Sequence, residues 1–93
     1  MIDLYQKTWK EINTELAERI IQLRKRKKLS QRSLALRSGV SLGSLKRFEQ
    51  TGEISLQSLT KIAIALGVEG ELEDLFSKVP FNSIEEVIHA QNK

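Results

Sequence analysis

Apolar residues recur at helical spacing along most of this 93-residue chain. In the first third, four of them stand at positions i, i+1, i+4 and i+7, which is typical of one buried face of an amphipathic helix. These four are Leu16, Ala17, Ile20 and Leu23, and they predict a helix at about residues 13–27. A second, more hydrophobic stripe follows Ser55 and ends before Gly67; its members are Leu56, Leu59, Ile62, Ala63 and Leu66.

Between these two helices, the sequence predicts a short helix that ends in a tight turn. Ser30 is a favoured N-cap residue, and it precedes a helix that we place at residues 31–38. Gly39 has no Cβ atom and can adopt the left-handed conformation that ends a helix. The chain therefore has to change direction after Gly39.

A further helix, at residues 42–50, is predicted to have one apolar edge and one polar face. Ser41 offers an N-cap hydroxyl, and Leu45 and Phe48 recur at a spacing of three on the buried edge. The polar run 50–53 predicts a loop. A helix, a turn containing glycine and a second helix form the helix-turn-helix arrangement, in which the second helix lies in the major groove of DNA.

The first twelve residues leave several interpretations open. Thr8 and Glu11 fit a capping box, which predicts a short helix or an N-terminal extension of the first helix. Tyr5 and Trp9 suit three roles: cover for an edge of the core, a dimer contact, or an arm along DNA.

Two short helices are expected towards the C-terminus. Leu72, Leu75 and Phe76 predict a last acidic helix of the domain. Pro80 marks a boundary, because the residue before a proline avoids helical geometry, and a capping box at residues 83–86 predicts one more helix. Because so short a helix is not stable alone, it should pack on this domain, on a second copy of the chain or on a partner protein. Its candidate anchors are Phe81, Ile84 and Ile88.

The length is sufficient for one small core. We expect an N-terminal extension at residues 1–12, a DNA-binding domain at 13–78, and a C-terminal tail at 79–93 that is a possible dimer or partner contact. The absence of cysteine fits a reducing cytoplasm, and the sequence shows neither an 18-residue apolar window nor a signal-peptide pattern. A cytoplasmic protein without membrane contact is expected.

Basic residues are concentrated around the helix-turn-helix pattern. Residues 19–47 contain ten Lys or Arg and no Asp or Glu, whereas the remainder sums to −7. The run 24–28 also suits a helix C-terminus, where cations interact favourably with the helix dipole. The helix dipole accounts for a few cations at one helix end, but not for a span of 29 residues without one carboxylate. Such a span indicates binding to a polyanion such as DNA.

Groups suited to catalysis or metal binding are sparse. His89 is the only histidine, and neither a nucleophile pattern, a metal-ligand cluster nor a phosphate-binding glycine loop is present in the sequence. Glu49 is expected to form a structural ion pair or helix-end contact. We therefore expect a protein that is not an enzyme and needs no cofactor or metal.

Four motifs are arranged as in one known family. They are the pair Ser30-Gln31 at a helix start, the turn Gly39-Val40-Ser41, the pair Phe48-Glu49, and the closing run Ala63-Ile64-Ala65-Leu66-Gly67-Val68. Residues 16–76 thereby resemble the phage-repressor helix-turn-helix family, Cro- and lambda-repressor-like, also called XRE. The family's glycine after the aromatic-Glu pair stands one position earlier than Gly52 does here. The resemblance implies an all-α fold, a compact five-helix lambda-repressor-like bundle.

Eight residues are candidates for contact with DNA. Base reading requires exposed side chains in the N-terminal half of the recognition helix, whereas Arg and Lys are suited to phosphates. Gln31 enters through the resemblance, because the matching glutamine of the family lies against the DNA backbone or a base edge. The candidates are Gln31, Arg32, Ser41, Leu42, Gly43, Ser44, Lys46 and Arg47.

Two of these candidates have a structural as well as a functional interpretation. Leu42 suits contact with a thymine methyl group, or packing on Val40 or on the N-terminal segment. Gly43 suits close approach of the helix backbone to the groove, or it merely loosens the first turn. Under the structural interpretations, base reading is left to Ser44, Arg47 and Gln31.

Two functions fit the sequence. The first is a transcriptional repressor that binds a palindromic operator as a homodimer, because one recognition helix reads few base pairs and two half-sites lie about 34 Å apart. The second is an antitoxin that binds a toxin protein and represses its own operon, because residues 44–67 are similar to members associated with HipA-like toxins. A membrane-surface role for the basic first helix is weaker, since the core requires its apolar stripe.

Overall fold

The computed structural model describes residues 6–78, and within that range the chain forms five α-helices and no strand. The helices are α1 (Trp9–Arg26), α2 (Gln31–Ser38), α3 (Leu42–Thr51), α4 (Leu56–Leu66) and α5 (Glu69–Glu73). Helix α1 packs on α3, α2 packs on α3 and α4, and α5 packs on α4. The predicted all-α bundle is confirmed. The predictions for Tyr5, Pro80, His89 and the tail helix lie outside the described residues.

Hydroxyl side chains begin the first four helices. Thr8, Ser30, Ser41 and Ser55 each accept a hydrogen bond from the backbone N–H three residues later, which satisfies a donor that the helix itself leaves free. Because Thr8 is the N-cap of α1, residues 9–12 extend the first helix, which is one of the two arrangements expected from the sequence. Helix α3 runs to Thr51, one residue beyond the prediction, so the predicted loop at 50–53 is shorter than expected.

The turn after α3 requires glycine at position 52 for two reasons. Gly52 has φ +79°, in the left-handed region that side chains disfavour. A Cβ atom on Gly52 would also lie 2.9 Å from the backbone carbonyl carbon of Asn13 in α1. Helix α1 therefore lies directly against this turn.

The core is formed by side chains from four helices and the turn between α2 and α3. Leu45 and Phe48 of α3 are fully buried, as predicted, and Ala17 and Ile20 of α1 are buried as well. The other buried residues are Leu34, Ala35, Val40, Ile62, Ala63 and Leu66. Burial of one such large side chain stabilises the fold by about 1.5–3 kcal/mol, so α3 is anchored mainly through Leu45 and Phe48.

Three predictions for apolar residues are wrong. Leu56 is 70% exposed: it is the first residue of α4, whereas Ala63, which lies only about 20° from it around the helix but two turns further on, is buried. Leu75 and Phe76 are exposed and follow α5 instead of belonging to it. This helix is only five residues long and has no side-chain cap at its start, and Phe76 lies at φ 60°, which is incompatible with a continuing helix.

Candidate nucleic-acid interface

Helix α3 exposes a polar face opposite its two core anchors. Because Leu45 and Phe48 point inwards, residues at i, i+4 and i+7 on the other side point outwards. The exposed residues of α3 are Gly43, Ser44, Lys46, Arg47, Gln50 and Thr51. The face is therefore accessible along the whole helix.

The first turn of α3 is organised by two serine hydroxyls. Ser41 Oγ accepts a hydrogen bond from the backbone N–H of Ser44 at 3.1 Å and donates to Ser44 Oγ at 2.9 Å. The hydroxyl of Ser41 is thus occupied within the helix cap. The hydroxyl of Ser44 still has its own proton to donate to a ligand.

Leu42 and Gly43 differ in how they relate to the core. Leu42 is half-buried and packs against the core, as the structural interpretation of this residue requires. Gly43 is exposed, and a Cβ atom added there would have no atom within 4 Å. Packing inside the protein therefore does not require glycine at position 43.

A buried hydrogen-bonded ion pair joins α1 to α3. Arg24 donates from Nε and Nη2 to the two carboxylate oxygens of Glu49, at 2.9 and 3.0 Å. The side chains of Arg24 and Glu49 are only 11% and 5% exposed. Arg24 Nη1 also donates to the backbone carbonyl of Leu29 at 2.9 Å, so the guanidinium is bound on three nitrogens. The structural role expected for Glu49 is confirmed.

Gln31 belongs to the same network. Its Nε2 donates to Oε1 of Glu49 at 2.8 Å, and the residue is half-buried. One amide proton of this predicted DNA contact is therefore already used inside the protein. The second proton and the carbonyl oxygen remain to interact with a ligand.

The exposed charges of α2 and α3 are all positive. Glu49 is the only carboxylate of these two helices, and it faces inwards. Arg32 and Lys46 are exposed and form no ion pair among residues 6–78, whereas Arg47 pairs with Glu53 just beyond α3. The exposed cations are Arg32, Arg37, Lys46 and Arg47.

Gln50 and Glu53 belong to this surface but were not among the eight candidates. Gln50 follows Gly43 by seven positions and so lies on the same face of the helix predicted at 42–50; the assignment of residue 50 to the loop 50–53 obscured that signal. Glu53 lies six residues after Arg47, a spacing that no helical pattern connects. Only the path of the turn reveals this contact.

The described part of the chain shows no other kind of site. Residues 6–78 contain no group of three or more His, Cys, Asp or Glu side chains arranged to hold a metal ion. None of the helices in that range has the length and apolar character required to cross a membrane.

Comparison with known families agrees with this geometry. The family model HTH_3, described as helix-turn-helix, matches residues 20–72, which is more than half of the chain and includes all of α2, α3 and α4. No curated protein and no solved structure gives a significant match. The chain therefore belongs to the HTH_3 family of XRE-type helix-turn-helix proteins, which are DNA-binding transcription regulators.

Proposed function

We propose that this protein is a sequence-specific repressor that binds a palindromic operator in double-stranded DNA as a homodimer, through α3. The main support is the charge arrangement around α3. Four exposed cations lie on α2 and α3, while the single carboxylate of these helices is buried in an ion pair. Such a surface attracts phosphates, and no exposed carboxylate of α2 or α3 opposes that attraction; it suits a cytoplasmic protein that meets chromosomal DNA.

Different parts of this surface suit different parts of DNA. Arg32 and Lys46, which are exposed and unpaired among the described residues, suit phosphates. Ser44 and Arg47 suit base edges in the major groove, and Gly43 allows the backbone of α3 to come close. The complete set proposed for DNA contact is Gln31, Arg32, Ser41, Leu42, Gly43, Ser44, Lys46 and Arg47. Within it, Leu42 and Ser41 mainly hold the start of α3 in place.

The size of the reading surface supports a homodimer. One helix of ten residues contacts only a few base pairs, which is too little sequence for a unique genomic site. Two copies related by a two-fold axis double the site and bring their recognition helices to half-sites about 34 Å apart. Light scattering with and without a selected duplex measures the stoichiometry.

Selection from random duplexes, followed by a salt titration, tests the proposal. We expect a two-fold symmetric site and an affinity that falls steeply with salt. Arg32→Ala and Lys46→Ala should weaken binding to all sequences and reduce the salt slope by about one per protomer. Ser44→Ala should change the preferred base instead. Lys61→Ala, an exposed cation on α4, is the control and should leave both quantities unchanged.

Either of two outcomes would contradict the proposal. If the protein selects no sequence, or if Lys61→Ala weakens binding as much as Lys46→Ala does, α3 is not the DNA-binding helix.

A second candidate function is that of an antitoxin. It draws on the resemblance to HipA-associated members and on two apolar side chains of α1, Trp9 and Ile12, which are 68% and 53% exposed and lie one turn apart. A partner protein would cover such a pair. Co-purification of the product of a neighbouring gene, lost on Trp9→Ser with Ile12→Ser, would support this function, whereas operator binding alone supports the repressor.

A further inference from the structure

Arg47, in the middle of the exposed face of α3, is held by a carboxylate in the turn that follows the helix. Its Nε and Nη2 atoms donate to Oε2 of Glu53, at 3.2 and 2.7 Å. The two side chains are 69% and 53% exposed, so the pair lies on the surface that DNA would meet. Glu53 therefore affects both the orientation and the charge that Arg47 presents to DNA.

The turn itself fixes the position of Glu53. Thr51 Oγ1 donates to the backbone carbonyl of Arg47 at 2.7 Å and accepts from the backbone N–H of Glu53 at 3.1 Å. The intervening Gly52 lies against the backbone of Asn13 in α1. These contacts tie the backbone of Glu53 to the last turn of α3, so the carboxylate is supplied by an ordered element.

The contact leaves one particular edge of the guanidinium free. Glu53 occupies the edge formed by Nε and Nη2. The opposite edge, formed by Nη1 and the second N–H of Nη2, presents two parallel donors. That is the geometry which matches the O6 and N7 acceptors of a guanine in the major groove.

The carboxylate also changes the attraction of Arg47 to phosphates. A paired Arg47 has little net charge to offer, and a phosphate approaching it is repelled by Glu53. Arg32 and Lys46 have no such partner among the described residues. We therefore expect Arg32 and Lys46 to provide the general attraction to the DNA backbone. Arg47 remains available for a contact that depends on the direction of its donors, such as one to a base edge.

We propose that Glu53 is a positioning residue for base recognition: it holds Arg47 so that the free edge of the guanidinium reads a guanine in each half-site, and it suppresses unspecific phosphate contacts of Arg47. This inference rests on the proposed DNA-binding function and adds to it the base that is read and the residue that sets the specificity.

Glu53→Gln in the full chain tests the inference, with duplex selection and salt titration as the readouts. The substitution should lower the preference for guanine at one position of each half-site by up to about fivefold, which is the most that an exposed ion pair contributes. It should also raise affinity for unselected duplex by about fivefold per protomer at 0.15 M salt, because one more cation becomes available to phosphates. Arg47→Ala should abolish the guanine preference, and adding Glu53→Gln to Arg47→Ala should change that preference no further.

Glu73→Gln is the matched control, since it removes the same charge from an exposed position in α5. It should leave base preference unchanged. If Glu53→Gln and Glu73→Gln behave alike, or if Glu53→Gln leaves the guanine preference intact, Glu53 does not position Arg47. Selection of a site that depends on Arg47 but not on Glu53 overturns this inference alone, whereas selection of no site overturns the DNA-binding proposal as well. Thermal unfolding of each variant verifies that it is folded.

Discussion

Replacing Glu49 should destabilise the fold far more than replacing any exposed acidic residue. Glu49→Ala removes a carboxylate that accepts three hydrogen bonds, two from Arg24 and one from Gln31. The guanidinium, only 11% exposed, would then be left without its counter-charge. Removing one partner of such a buried pair costs about 3–5 kcal/mol.

This cost is large relative to the stability of so small a domain. At about 0.05–0.15 kcal/mol per residue, the 73 described residues correspond to a free energy of unfolding of about 4–11 kcal/mol. Glu49→Ala should therefore remove at least about a quarter of the free energy of unfolding, and all of it if that free energy lies at the lower end of the range. Urea denaturation followed by circular dichroism measures the free energy of unfolding and reports partial unfolding directly.

A double-mutant cycle separates the ion pair from general packing. In the cycle of Arg24→Met, Glu49→Met and their combination, the double variant should be more stable than either single variant, because a buried pair can often be replaced by apolar side chains without net loss. The control is the exposed pair of Lys7 and Glu15, which are 54% and 38% exposed, where substitution should cost less than about 1 kcal/mol. A cost for Glu49→Ala no larger than that of the control would refute the reasoning.

Two further predictions concern glycines. Gly52→Ala and Gly39→Ala both place a side chain at positive φ, at a cost of about 1–2 kcal/mol, but only at Gly52 does the new Cβ atom meet the backbone of Asn13. Gly52→Ala should therefore lower the free energy of unfolding by at least about 1 kcal/mol more, and equal losses would contradict the packing of α1 on this turn. Gly43→Ala and the control Gly70→Ala both enter open space within a helix and should raise the melting temperature slightly. Only Gly43→Ala should weaken operator binding in a mobility-shift assay, and unchanged binding would show that the backbone does not approach DNA there.

The helices and their boundaries could largely be predicted from local signals. The caps at Ser30, Ser41 and Ser55 and the ends at Gly39 and Gly67 depend on hydrogen bonds within four residues of each position, so the sequence pattern contains them. The buried edge of α3 could be predicted from the helical spacing of Leu45 and Phe48 alone. Local order of this kind was sufficient to place α3.

Contacts between distant residues could not be predicted in the same way. Leu56 has the same residue type as its buried neighbours, and only the position of α4 against the rest of the bundle leaves it exposed. Glu49 receives hydrogen bonds from Gln31 and Arg24, which are 18 and 25 residues away. The engagement of Gln31, and of Arg47 with Glu53, depends on how helices and turns meet in space, for which a single sequence contains no direct signal.

Helix α1 contacts α3 at one place and the turn after α3 at another, and these two contacts govern how α3 can move. One contact lies at Asn13 and the other at Arg24, which are about 16 Å apart along α1. Attachment at two points so far apart restricts pivoting of α3, so in the proposed homodimer each protomer would approach DNA as one rigid unit. For the proposed homodimer, an operator with one base pair inserted at its centre would rotate one half-site by about 34–36° and displace it by about 3.4 Å relative to the other. A protomer without a hinge next to α3 could not adjust to that displacement. The homodimer would therefore discriminate between operators by the spacing of their half-sites as well as by their base sequence.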